Sequence, residues 1–257
     1  GEYALVDAAL ADKAPDDSIS SDGLAALASA SYAVPLADLI HEGDERVLVL
    51  GAGGGLGSHF CQLVRDRGAS YVVGVSSSPQ RLLEAPLSCD EAIDYTKEDV
   101  FATEKFSKDP FDVIIDLSCG GWPRLEQDAK EKLPLIVKPA SQGGRYITTL
   151  PDKPVFEVSS TLDFVWKFIH PALLRAVWSR TITRNRLPSY SLAVLGPDER
   201  VIVTRTMELA SEGKLKPVMD TRGPFPFTTE GVRDAFRLQE CRHAHGKVII
   251  RVADDVE

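Results

Sequence analysis

Cysteine is scarce in this chain, and its copies lie far apart. The cysteines among the 257 residues are Cys61, Cys89, Cys119 and Cys241, and no two of them form a C-x-x-C pair. This spacing argues against a disulfide framework, so we expect reduced thiols in a reducing compartment. Cys61 falls on the apolar face of a predicted helix, where a core position is expected.

Long apolar runs and basic runs are missing too. No apolar run approaches the length of a membrane span. The most apolar late segment, 164–182, is interrupted by charged residues and a proline, and we expect a buried helix in which Trp166 and Trp178 pack. The net charge of −9 argues against nucleic acid or an anionic membrane as the main partner.

The start of the chain lacks an initiator methionine and any signal- or transit-peptide pattern. We therefore expect a cytoplasmic protein whose N-terminus is missing, which leaves an organellar location open. Two kinds of site are also absent. There is no G-x-S-x-G elbow to support serine-nucleophile hydrolysis. His243 and His245 form an H-x-H pair without further ligands nearby, so we expect structural or surface histidines and no metal.

A glycine-dense turn is the most informative feature that is present. It follows the apolar run 47–50 directly and precedes a helical pattern. A bound dinucleotide requires this arrangement, because glycines let the backbone approach a pyrophosphate and the next helix offers it free N–H groups. Ala52 takes the place of the first glycine of the G-x-G-x-x-G pattern, and a purely structural tight turn is the alternative. The candidate cofactor-binding residues here are Gly53, Gly54, Gly55, Leu56 and Gly57.

Strand and helix patterns alternate along most of the chain. Such alternation predicts an α/β fold: a doubly wound, six-stranded parallel sheet of the Rossmann type with helices on both faces. The predicted strands are 46–50, 71–75, 91–94, 112–117, 145–149 and 190–195. The predicted helices between them are 56–67, 79–85, 97–106, 123–137 and 162–180. Beyond these we expect a helix at 197–212, a strand at 216–219, a helix at 228–238 and a strand at 246–252.

Four segments together resemble the medium-chain dehydrogenase/reductase superfamily, and within it the zinc-free quinone and enoyl reductases. Segment 46–57 is similar to that family's first strand and Ala-x-Gly-Gly-x-Gly turn. The others look like its third-strand signature, its fourth strand and its C-terminal hallmark, and they lie at 89–99, 110–116 and 213–220 with 245–252.

This resemblance implies that a barrel-like N-terminal catalytic domain is mostly absent here. It divides the chain into a tail of that domain with a connecting helix (1–35), a dinucleotide-binding domain (36–195) and a segment returning toward the catalytic domain (196–257). It also implies hydride transfer from a nicotinamide cofactor to a quinone or an α,β-unsaturated carbonyl compound, without a metal. The alternative is a catalytically silent nucleotide-binding or scaffolding subunit.

The end of the second strand favours NADP(H) over NAD(H). A carboxylate there would repel a 2′-phosphate, but no acid occurs until Glu84. Ser76, Ser77 and Arg81 could instead hold the phosphate through charge-assisted hydrogen bonds. The alternative is a serine-rich helix cap followed by a solvated arginine. The resemblance adds Tyr95, which matches a family position near the same phosphate.

The remaining candidates follow from the geometry of parallel sheets. Ligands bind at the carboxyl ends of such strands, so we expect Leu117, Ser118, Thr148 and Thr149 to border the cofactor. No catalytic residue is nominated, because water could protonate the enolate formed by hydride addition. The last strand, 190–195, would be an unpaired edge, and we expect a homodimer through it.

Overall fold

A computed structural model describes residues 11, 13–14, 19–41, 43–149, 152, 157–193 and 199–252. The strands are β1 (Arg46–Leu50), β2 (Tyr71–Ser76), β3 (Glu91–Asp94), β4 (Val113–Asp116), β5 (Arg145–Thr148), β6 (Ser189–Leu192), β7 (Phe225–Pro226) and β8 (Ile250–Arg251). The α-helices are α1 (Ser21–Leu27), α2 (Ala30–Ala37), α3 (Gly55–Asp66), α4 (Gln80–Leu83), α5 (Glu104–Lys108), α6 (Gly121–Lys130), α7 (Thr161–Phe164), α8 (His170–Arg180), α9 (Glu199–Ser211) and α10 (Thr229–Glu240).

The first six strands form one parallel sheet in the order β3-β2-β1-β4-β5-β6. The strand order reverses between β1 and β4, which places a crevice at their carboxyl ends. This confirms the predicted doubly wound, six-stranded parallel sheet. A separate pair, β7 and β8, is also parallel.

The strands are buried on both faces because helices cover the two sides of the sheet. Alternate residues of β1 belong to different cores: Val47 and Val49 pack with α1, α2, α3 and α9, whereas Leu48 and Leu50 pack with α5, α6 and α8. Continuous apolar strands are the sequence mark of this arrangement. Cys61 is fully buried in the first core, as predicted.

Several predicted elements are shorter than expected. The helix predicted at 123–137 ends at Lys130, because Lys132 has a φ of +62° and Pro134 follows. The helix predicted at 97–106 becomes a 3₁₀ turn, Val100–Ala102, followed by α5. The strand predicted at 216–219 is reduced to one bridge between Met219 and Lys247. The strand predicted at 246–252 is reduced to single bridges at Gly246 and Lys247 and to the two residues of β8. Of the predicted last strand of the large sheet, residues 194–195 lie outside the described part of the chain.

The segment 164–182 is helical, but it is not the buried helix we expected. It contains a π-helical stretch, Val165–Ile169, between α7 and α8. The exposed fractions are 69% for Trp166 and 55% for Trp178, so the prediction that these two side chains pack in the interior is wrong. Trp122, by contrast, is buried against Tyr146 and Tyr190. Helical periodicity alone cannot tell a face that meets the core from one that meets solvent.

The N-terminal helices are part of the same packed body as the sheet. α2 packs against α3 and α9, and Leu36 and Ala37 join the first core. These contacts do not test the predicted division of the chain into domains at residues 35 and 195, which remains a prediction. Among the described helices, none is both long enough and apolar enough to cross a bilayer.

Candidate functional site

The glycine turn begins at the end of β1 with a left-handed residue. Gly51 has a φ of +81°, a conformation that favours glycine. The next residue, Ala52, is fully buried, and its amide donates to the carbonyl of Val75 on β2. Ala52 can replace a glycine because Gly51 already supplies the left-handed step.

Gly53 lies where three parts of the chain meet. A Cβ atom added there would come 2.5 Å from Oγ of Ser76 and 3.5 Å from Nδ1 of His245. There is no room for a Cβ atom beside Ser76, so the backbone at Gly53 is not covered by a side chain of its own. The turn, the end of β2 and the C-terminal segment thus converge on one position.

The helix after the turn presents its N-terminus to the same region. α3 begins at Gly55, so the amides of its first turn have no carbonyl earlier in the helix to bond. The positive end of the helix dipole lies there as well. On its outer side, the turn is held by Gly246, whose amide donates to the carbonyl of Gly53 at 2.9 Å.

The loop after β2 carries the residues predicted to hold a phosphate. The side chain of Ser76 is buried, and its Oγ accepts from the amide of Ser78 at 3.2 Å. Ser77 is half-buried beside it. Arg81, on α4, donates from Nη1 to the carbonyl of His245 at 3.5 Å. Tyr95 follows β3 and is 52% exposed.

On the other side of the crevice, Asp116 organises the loop after β4. It is fully buried, and Oδ1 accepts from the amides of Ser118 and Cys119 at 2.9 and 3.0 Å. Its Oδ2 accepts from the amide of Gly121 and the hydroxyl of Tyr146. One carboxylate therefore fixes the path of the backbone into α6.

The neighbours of Asp116 share this order. Burial raises the pKa of Tyr146 well above its ordinary value, and the negative charge of Asp116 adds to the shift. Tyr146 is therefore a hydrogen-bond donor at neutral pH. Thr148, at the end of β5, donates from Oγ1 to the carbonyl of Asp116 at 3.0 Å. Leu117 donates its amide to the carbonyl of Leu50 on β1, and Thr149 follows β5 directly.

A second ordered carboxylate supports His245. Burial alone would raise the pKa of Asp220, but hydrogen bonds from the Arg222 guanidinium and from the amides of His245 and Arg222 hold it well below its usual range. The amide of His245 donates to Oδ2 of Asp220 at 2.7 Å. Its ring reaches across the crevice, with Nε2 2.9 Å from Oγ of Ser78.

All the predicted cofactor-binding residues thus lie at the carboxyl ends of β1 to β5 or just beyond them. Three residues that the sequence reasoning left out also lie in this region and hold its segments together: Ser78, Asp116 and His245. An aspartate directly after an apolar strand and before Ser-Cys-Gly-Gly is a signal that could have indicated Asp116. No local signal indicates His245, because its partner is far away in the sequence.

Comparison with known proteins decides the family. A profile described as a zinc-binding dehydrogenase matches residues 87–250, more than half of the chain. The chain belongs to this family, within the medium-chain dehydrogenase/reductase superfamily. The resemblance inferred from its motifs is confirmed.

Two curated reductases are similar in sequence to this dehydrogenase-family chain. The medium chain reductase pydE of an Acremonium species is 31% identical over 235 residues, covering 90% of this chain and 57% of the relative. The NADPH-dependent alkenal/one oxidoreductase, chloroplastic, of Arabidopsis thaliana is 29% identical over 205 residues, covering 79% and 40%. The chain thus spans about half the length of the curated relatives it matches.

A solved structure shares the fold of this dehydrogenase-family chain. The quinone oxidoreductase of Thermus thermophilus, solved also in complex with NADPH, matches 93% of this chain and 69% of its own. The TM-score is 0.56 at 21% identity, which supports the fold alone.

The family's name mentions zinc, but the described residues do not fit a zinc site. In that part of the dehydrogenase-family chain, no three His, Cys, Asp or Glu side chains gather where an ion could bind. The ring of His245 faces Ser78.

Proposed function

We propose that this chain is the nucleotide-binding part of an NADPH-dependent oxidoreductase. The enzyme would transfer a hydride to a quinone or to the β-carbon of an α,β-unsaturated carbonyl compound. The names of the two curated relatives, a reductase and an alkenal/one oxidoreductase, support this reaction class. The quinone oxidoreductase whose fold it shares is known in complex with NADPH.

One observation carries the proposal: the bare glycine turn faces hydroxyls and a guanidinium where NAD-specific folds hold an acid. Gly53 lies against Ser76, and Ser78 and Arg81 follow within one short turn of chain. This set can donate hydrogen bonds to a 2′-phosphate, and no carboxylate of β2 or its loop repels it. We therefore assign NADP(H) in preference to NAD(H).

We infer that the cofactor would lie along the crevice at the carboxyl ends of the strands. We assign the pyrophosphate to the turn at Gly54 and to the amides of Gly55, Leu56 and Gly57 in the first turn of α3, which have no carbonyl earlier in the helix to bond. Ser76, Ser77, Arg81 and Tyr95 would surround the 2′-phosphate. Leu117, Ser118, Thr148 and Thr149 would border the rest of the cofactor at the ends of β4 and β5.

When bound, the nicotinamide ring supplies the hydride. The described residues would hold the cofactor at a fixed distance and orientation and keep water away from it. Asp116 contributes indirectly, because its bonds keep Ser118 and the start of α6 in place. No protein acid is assigned, since water can protonate the enolate. Neither the family match nor the residues at the strand ends require a protein side chain to donate this proton.

The first prediction concerns Arg81. Replacing it, Arg81→Ala, should weaken NADPH binding about 10- to 100-fold, because one charged hydrogen bond to the phosphate contributes about 1.5–3 kcal/mol. Binding of NADH should change less than threefold. Titration calorimetry with both cofactors measures the ratio. Arg237→Ala removes the same charge from an exposed ion pair on α10 and should leave both affinities unaltered.

A turnover assay separates the two functions considered. We expect wild-type protein to oxidise NADPH when given a quinone or an enone. Firm NADPH binding without turnover on a broad panel would favour the alternative, a catalytically silent nucleotide-binding or scaffolding subunit. No binding of either cofactor would overturn the proposed function altogether.

We also propose a homodimer at the β6 edge of the sheet. The outward backbone groups of Tyr190 already bond with Ser179 and Arg180, so strand pairing alone is partly blocked. The neighbouring face of α8 is unusually apolar for a surface. Leu173 and Val177 are 61% and 58% exposed there. Such a patch beside an edge strand suits a second copy of the chain.

This gives a second prediction. Val177→Glu should convert the dimer to a monomer, because the substitution buries an unpaired carboxylate in a symmetric interface. Light scattering at micromolar concentration measures the mass. Val201→Glu makes the same change on α9, where Val201 is 59% exposed, and should leave the dimer intact. A monomeric wild type would contradict the proposal.

A cytoplasmic location stays a prediction. One relative is named as chloroplastic, so a location in an organelle stays the alternative.

A further inference from the structure

The two histidines of the H-x-H pair have different surroundings. His243 is exposed, and its carbonyl accepts from Arg222 at 2.7 Å. His245 is half-buried, and its ring lies between the glycine turn and the loop after β2. It lines a small crevice together with Gly53, Ser78 and Arg81.

We propose that His245 is a further contact for the 2′-phosphate of NADP(H), and that it makes the preference for NADP(H) over NAD(H) stronger at lower pH. The inference rests on the proposed function and names a specificity residue of that site. Its geometry is direct. Nε2 of His245 is 2.9 Å from Oγ of Ser78, and the carbonyl of His245 accepts from Arg81. The histidine is thus bonded to Ser78, in the loop after β2, and to Arg81, on α4.

Hydrogen bonds of the backbone at residues 245 and 246 fix the position of the His245 ring. Asp220 holds the His245 amide at 2.7 Å and is itself held by Arg222. The next residue, Gly246, has a φ of +94°, and its amide donates to the carbonyl of Gly53. The backbone that carries the ring is therefore held next to the glycine turn by the bond of the His245 amide to Asp220 and by that of the Gly246 amide to Gly53.

The surroundings of His245 disfavour its protonated form in the free protein. Burial lowers its pKa, and the positive charge of Arg81 lowers it further. Arg222 and His243 act in the same direction, while Asp220 opposes them. From the glycine turn, Gly53 brings no charge, and Ser78 brings only a hydroxyl. A phosphate placed between Ser78 and Arg81 would add negative charge next to the ring, which favours the protonated form.

The sign of the pH effect follows from this linkage. With the phosphate bound, the pKa of His245 is higher than in the free protein, so binding takes up a proton from the solvent. NADPH affinity should rise as the pH falls through the interval between the two pKa values, by at most about tenfold per pH unit for one proton. NADH has no 2′-phosphate, so its affinity should not follow this trend.

The test compares NADPH and NADH binding from pH 5.5 to 8.5 by calorimetry in two buffers of different ionisation enthalpy. For wild type we expect net proton uptake with NADPH and a NADPH-to-NADH affinity ratio that rises about tenfold or more between pH 8 and pH 6. The 2′-phosphate itself titrates near pH 6, which weakens binding in acid. That effect is common to all variants, so differences between variants report the histidine.

His245→Gln keeps a side chain that can hydrogen-bond to Ser78 but cannot take up the proton. It should flatten the pH dependence of the ratio to less than threefold and abolish the proton uptake. His243→Gln, two residues away, should behave as wild type. If His245→Gln retains the wild-type pH profile, the inference is wrong while the proposed function stands. If wild type binds no NADPH at any pH, the proposed function fails first.

Discussion

Asp116→Ala should destabilise the protein by about 3–5 kcal/mol, because it leaves the buried hydroxyl of Tyr146 and the amides of the following loop without an acceptor. The amides of Ser118, Cys119 and Gly121 all bond with this one carboxylate. Tyr146 also donates to it from a fully buried ring. An alanine offers no acceptor to any of these donors.

Thermal unfolding measures this effect, and a fall in Tm of about 6–20 °C is expected for a chain of this size. Tyr146→Phe removes one donor while keeping the ring, so its cost should be about 1–2 kcal/mol. Asp109→Ala is the matched control, since Asp109 is 68% exposed in an ion pair with Arg46. Its effect should stay within about 0.5 kcal/mol. An equal loss for Asp109→Ala and Asp116→Ala would contradict the role assigned to Asp116.

The loss should extend to binding if Asp116 positions the crevice. A cofactor that contacts Ser118 and the loop before α6 binds only when that backbone is held in place. Asp116→Asn, measured below its own unfolding temperature, separates the two effects. The amide keeps one acceptor oxygen, so we expect a folded protein whose NADPH affinity is lowered about tenfold because the backbone before α6 is held by fewer and weaker hydrogen bonds.

The sheet could be predicted from the sequence because its signals are local. Continuous apolar runs, a glycine turn after the first of them and alternating helical patterns each act within a few residues. The predicted strands 46–50 and 91–94 match β1 and β3 residue for residue. The resemblance then joined these local signals into one family, which the match over 87–250 confirmed.

Contacts between distant segments could not be predicted in the same way. His245 meets Ser78 across 167 residues of chain, and an H-x-H pair has no local property that indicates a serine as its partner. The reverse error occurred at Trp166 and Trp178. Their apolar helical spacing is typical of a buried face, but what lies opposite that face is set by the assembled fold. The residues missed or misplaced are those whose surroundings come from elsewhere in the chain.

The glycine turn gives the second large effect, because Gly57 is packed tightly against the backbone of the turn. A Cβ at Gly57 would lie 2.3 Å from the carbonyl oxygen of Gly51 and 2.8 Å from Cα of Ala52. These atoms belong to the turn itself and cannot move without opening it. Gly57→Ala should therefore cost about 2–3 kcal/mol in stability through overpacking.

Gly54→Ala is the matched control for Gly57→Ala. The nearest atom to a Cβ at Gly54 is the carbonyl oxygen of Gly51 at 3.6 Å, an ordinary contact, and its φ of −75° suits any residue. Its Tm should stay within about 2 °C of wild type, whereas Gly57→Ala should lower the Tm by roughly 4–12 °C. Gly57→Ala should also lose detectable NADPH binding, because displacing the start of α3 moves the amides assigned to the pyrophosphate. Equal Tm values for Gly54→Ala and Gly57→Ala would contradict the difference in packing between these two positions. If Gly57→Ala binds NADPH normally, the pyrophosphate does not lie at these amides.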